Sequence, residues 1–160
     1  MRKNKLATVL GLLICSSVPV SLIAAYFHVS PIGWGWYQPY DTEATVALSG
    51  YDPVAYHSHG RAMKGSTSHA VRWAEATWYF ISAESKELFL DDPLKYAPQF
   101  GGHCAVAVHS GTTARADPEQ WIIREGKLYV FFGEEPKLEF LLYTLSDIAK
   151  AEHNWNSERD

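Results

Sequence analysis

The sequence predicts a small α+β domain: an antiparallel sheet with helices packed on one side, preceded by an N-terminal apolar anchor or signal helix. Three stretches predict it. "EQWIIREGKLYVFF" reads as a hairpin, extended over 121–124 and 128–132 with a turn at Glu125 and Gly126. Ser82 and Asp92 stand where helix N-caps belong, the first with Glu84 in the following turn, the second directly before Pro93. Leu138, Leu141, Leu142, Leu145, Ile148 and Ala149 follow the i, i+3, i+4, i+7 spacing of one helix that turns an apolar stripe to a core.

In chain order, "MRKNK" is followed by residues 6–25, which carry no charge. Basic residues before an apolar run mark an export signal and hold the N-terminus inside. The run, about 20 residues, exceeds the usual signal core of roughly 7–15 and just suffices to span a bilayer. Trp34, Trp36, Tyr37 and Tyr40 then fall near the outer interface, a zone aromatics favour. An uncleaved anchor is preferred to cleavage after Ala25, because Ile23 makes a poor A-x-A site. The expected location is therefore the cell envelope, with the domain anchored in the inner membrane and facing the periplasm, or released there if the run is cut. Residues 1–25 read as signal or anchor, 26–43 as linker and 44–156 as the domain.

Within the domain, "ATVALSGYDPVAYHSHG" reads as an apolar stretch, a turn at Gly50, Asp52 and Pro53, and a second extended piece ending in a hairpin turn at Gly60. "HAVRWAEATWYFIS" reads as two strands meeting around Glu75 and Ala76. A helix from Ser82 through Leu90 and a short one from Pro93 follow from their caps. The net charge of -4 and the lack of a Lys/Arg stripe argue against a nucleic-acid partner. Two cysteines make no disulfide framework, and with Cys15 inside the apolar run, Cys104 is an unpaired thiol.

Four blocks carry a resemblance: "GYDPVAY", "TWYFISAESKELFLDDPLKYAPQFGGHCAVAV", "DPEQWIIREGKLYVFF" and "IAKAEHNW". Together, over about 44–155, the chain resembles the exported YHS-domain proteins. That family is similar to small metal-binding modules, found alone or joined to metal-transporting ATPases. The resemblance implies a small α+β fold and raises metal binding as an expectation. Where the metal-binding relatives carry cysteines, this chain has Ala55 after the Asp52-Pro53-Val54 turn, then Ile81 and Ser85. Alanine and isoleucine cannot ligate, and a hydroxyl is a poor ligand for a soft metal. What stays is Cys104 in its Gly-Gly-x-Cys-Ala setting.

Cys104 supports three readings. As part of a strand "HCAVAVH", it shares one face with Val106 and Val108 and is a small core residue. Gly101 and Gly102 allow a left-handed turn instead, which can aim His103 and Cys104 together into a cleft. A thiolate with imidazoles selects Cu(I) or Zn, and His57 and His59, two apart on a strand, can complete such a metal site. The ligand set expected is Cys104, His103, His57 and His59, with a metal ion as partner, the membrane as a second partner through the N-terminal helix, and any protein partner unidentified. His69, His153 and the isolated Met63 receive no role. In the second reading the chain is a small-molecule or protein interaction module with Cys104 in its core. In the third, Cys104 is the nucleophile of a thiol enzyme, with Asp52 or Asp117 orienting a histidine base. The absence of C-x-x-C argues against thioredoxin-like exchange.

Overall fold

The computed structural model describes residues 46–157 together with two short strands, β1 (Ser30–Pro31) and β2 (Thr42–Glu43). The apolar run 6–25, its cleavage point, the aromatics at 34, 36, 37 and 40, and the linker proline lie outside the described residues. No helix among the described residues is long and apolar enough to cross a membrane.

The fold is α+β, with six α-helices among the described residues and three small sheets. In the four-stranded sheet, β2, β3 (Val46–Ala47), β5 (Ala76–Phe80) and β4 (Ser66–Trp73) lie in that order, and β3 joins β5 in parallel through Val46 and Thr77. β4 pairs with β5 antiparallel, as its alternation predicted. The turn between them, Ala74 and Glu75, has both residues at positive φ, the geometry that matches strand twist in a two-residue hairpin. β1 pairs with β6 (Thr112–Thr113), Ser30 opposite Thr113 and Pro31 opposite Thr112. β7 (Asp117–Arg124) and β8 (Lys127–Phe131) form the expected hairpin, turned at Glu125 and Gly126.

The single sheet read from the sequence is thus divided, and β8 shows why. Its side chains alternate between two cores: Leu128 and Val130 join Trp78, Phe80, Phe89 and Tyr56, while Tyr129 and Phe131 join Cys104, Val108, Phe140 and Trp155. A strand buried on both faces needs cover on both.

Three local readings are corrected. Residues Pro53–His59 form helix α1, not an extended piece. The Asp52 carboxylate caps it by accepting the Val54 N–H at 2.8 Å, Pro53 sits in its first turn, and left-handed Gly60 ends it instead of turning a hairpin. That is the Asp-Pro logic which correctly placed α3 (Pro93–Tyr96) after α2 (Ala83–Asp91); Ser82 and Asp92 cap those helices through Ser85 N–H and Lys95 N–H. Second, "AVAVH" is helix α4 (Ala105–His109), not a strand. Its alternation of Val and Ala carries no face information, because Ala105, Val106, Ala107 and Val108 are all buried.

Third, the C-terminal stripe is two helices, α5 (Glu134–Phe140) and α6 (Leu145–Ser157). Thr144 and Asp147 make a reciprocal cap: the Asp147 carboxylate accepts the Thr144 N–H at 2.7 Å and Thr144 Oγ1 accepts the Asp147 N–H at 3.4 Å. The new start resets the helical phase. Phe140, Ile148, Ala151 and Trp155 are buried, whereas Leu138, Leu141, Leu142 and Leu145 are 53%, 59%, 83% and 65% exposed. The burial expected of Leu142 and Leu145 is overturned.

Candidate functional site

Asp52 is the most fully engaged polar side chain of the first core, with no exposed surface. Besides capping α1, its second oxygen accepts the Ile81 N–H at 2.9 Å and the Ser85 hydroxyl. Its own N–H donates to the Met63 carbonyl at 2.9 Å. One carboxylate thereby joins α1, the end of β5 and the start of α2. Ile81 and Ser85, two of the positions at which the resemblance puts cysteines, converge on this carboxylate, and the third, Ala55, is buried one turn along α1. The place is filled by a fully buried carboxyl group that accepts three hydrogen bonds.

Cys104 lies at the start of α4 with 0% of its surface exposed. Phe100, Gly101 and Gly102 precede it with φ of 55°, 61° and 82°, so the left-handed bend that the glycines suggested is present. The bend serves pairing: it lays His103 beside Arg115 and Cys104 beside Val130, and the Cys104 N–H donates to the Ala114 carbonyl at 2.9 Å. Burial pushes the thiol pKa up, and hydrogen bonds from the Ala107, Phe132 and Val106 amides offset this in part. Such a thiol is protonated and shielded at neutral pH.

The histidines do not gather around it. His103 is buried with its ring centroid 5.7 Å from that of Trp155. His57 sits edge-on to Tyr96, centroids 5.4 Å apart, at the margin of the other core. Its Nε2 is buried without a hydrogen-bond partner, and burial together with the nearby Lys95 lowers its pKa. His59 is exposed, with Nδ1 2.8 Å from Ser58 Oγ. On a helix, residues two apart project about 200° from each other, so His57 and His59 cannot pinch one ion. Among the described residues no group of three or more His, Cys, Asp or Glu side chains is placed to hold a metal ion. Asp117 is exposed and accepts the Glu119 N–H at 2.9 Å.

Sequence reasoning missed a cluster on the far side of Cys104. The Tyr143 hydroxyl lies 3.1 Å from His109 Nδ1 and 3.2 Å from Glu139 Oε1, and His109 Nε2 lies 3.7 Å from Asp147. Donation of the phenol proton to Glu139 requires His109 to carry its proton on Nδ1. Burial, then Glu139, Asp147 and Cys104, hold the Tyr143 pKa well above the phenol range. The Thr144 hydrogen bonds lower that of Asp147. The sequence signal for the break was there in T-x-x-D at 144–147, a helix-start signature that separates Tyr143 from α6; the contact with His109 is tertiary. Tyr143 sits between Leu142 and Thr144, so this polar knot fastens the corner that carries the exposed leucines.

No family model, curated protein or solved structure matches the chain.

Proposed function

We propose that the chain is an exported, membrane-tethered, YHS-like binding module, non-enzymatic, which keeps Cys104 as a core residue and works through the leucine corner of α5 and α6. The exposed row Leu138, Leu141, Leu142 and Leu145 carries this reading. Leu141 and Leu142 continue the helical turn, donating to the Leu138 and Glu139 carbonyls, so Leu138, Leu141 and Leu142 share one face. Exposed apolar side chains gathered on one helix face mark interaction sites. The tether rests on the run 6–25, and the YHS likeness on the four sequence blocks.

The dispersal of Cys104, His103, His57 and His59, and the buried, proton-holding state of the thiol, favour this module over a Cu(I) or Zn site and over a thiol nucleophile. The deciding experiment uses the full chain with Cys15→Ser. Thiol reagent should modify Cys104 only after denaturation, and metal content after purification without chelator should match that of a Cys104→Ser version. Rapid labelling of the folded chain, or metal lost with the thiol, would overturn the reading. A reporter active only in the periplasm, fused after Asp160, should be active; cytoplasmic activity would refute export.

A further inference from the structure

We infer that the leucine corner seats in the headgroup zone of the membrane that holds the N-terminal run, and that its partner is a zwitterionic lipid surface. The inference rests on the proposed tethered module and deepens it by naming what the corner meets.

The path of the chain supports it. β1 begins at Ser30, five residues beyond Ala25, and five residues reach at most about 18 Å. β1 is paired to β6, so the β6 edge hangs within that reach of wherever the apolar run ends. β6 follows α4 directly: Ser110 and Gly111 N–H close onto the carbonyls of Val106 and Val108, and Thr112 is three residues past His109. The His109 ring packs on Tyr143, centroids 4.7 Å apart, and Asn154 of α6 donates to the His109 carbonyl at 3.0 Å. The leucine corner and the tether point therefore lie on one side of the domain. A tether this short keeps the corner near a bilayer at high local concentration, which lets a modest apolar contact be occupied.

The flanking charges select the lipid. Glu134, Glu135, Glu139 and Asp147 outnumber Lys137, Lys150 and Arg124, whose guanidinium lies 5.8 Å from the Phe140 ring, around α5 and the start of α6. Such a rim lacks the basic cluster that anionic headgroups attract, so insertion into neutral headgroups is the compatible mode.

The test introduces one exposed cysteine at a time, Leu142→Cys, Leu145→Cys or Leu94→Cys, into full-length Cys15→Ser chain, labels it with a polarity-sensitive fluorophore under native conditions, where Cys104 is fully enclosed, and reconstitutes the chain into phosphatidylcholine vesicles. Leu94 is the control: it is 76% exposed and lines a hollow with Trp155 and Asn156, about 16 Å along α6 from Leu145. At 142 and 145 the emission should shift to the blue, doxyl-labelled lipid should quench it, and aqueous iodide should lose its effect. At 94, iodide alone should quench, and adding phosphatidylserine should not strengthen the lipid signal at 142. Chain that floats with the vesicles yet leaves 142 and 145 open to iodide would overturn the seating while leaving the tether intact. Shielding of both positions from iodide and from doxyl lipid would also overturn it, in favour of a protein partner. Chain that fails to float would refute the tether and this inference with it.

Discussion

Two side chains show how one residue can govern more than its neighbourhood. Asp52 accepts from Val54 N–H, Ile81 N–H and Ser85 Oγ with no surface exposed, so removing the acceptor strands three donors in the first core. Asp52→Ala should cost about 3 kcal/mol in chemical denaturation, a large share of a small domain's stability; a midpoint equal to the parent's would show that water replaces the carboxylate without loss. His57 makes the folded state sensitive to acid. Burial and Lys95 lower its pKa below the ordinary value of about 6.5, so in that window the unfolded chain binds the extra proton. Its contribution is fully present above about pH 6.5 and is lost as pH falls toward the folded pKa. His57→Gln should flatten the stability change between about pH 7.5 and pH 5.5; an unchanged slope in urea titrations would assign the effect elsewhere.

At the level of elements, the outcome turned on where helices begin. The caps at Ser82 and Asp92 and the turn at Glu125–Gly126 are local chemistry, and they were legible because a cap or a tight turn is decided within four residues. Asp52-Pro53 carried the same signal as Asp92-Pro93, yet it was obscured by the neighbouring apolar letters that resemble a strand. The C-terminal stripe misled for a different reason: a perfect spacing continues across a break when a capping pair restarts the helix. Leu142→Ala should therefore stay within about 0.5 kcal/mol of the parent, while Phe140→Ala, buried against Tyr129 and Phe131, should cost about 3–5 kcal/mol. Reversed costs in denaturant titrations would restore the single core-facing helix.

For the whole molecule, the shared wall matters most. β8 contributes Val130 to one core and Tyr129 and Phe131 to the other, so neither core can lose β8 and stay closed. Val130→Ala should lower stability by about 2 kcal/mol and leave a single transition, with near-UV and far-UV circular dichroism changing together. Two separated transitions would mean that the cores unfold independently. The candidate metal ligands illustrate the same dependence on tertiary placement. Cys104 and His57 belong to opposite sides of this wall, a separation that residue spacing along the chain does not encode.

The sequence by itself determined the α+β class, the two principal hairpins and the caps of α2 and α3, and it allowed the left-handed bend before Cys104. Each depends on backbone chemistry within a few residues. Tertiary structure alone decided that "AVAVH" is helical, that the leucines face outward, that Cys104 is enclosed, and that Tyr143 meets His109. Short apolar runs satisfy strand and helix equally well, and burial from both sides removes the polar face that would tell them apart. Only the packing of β8 and α6 around α4 resolves that choice, and it does so with residues that lie far from α4 along the chain.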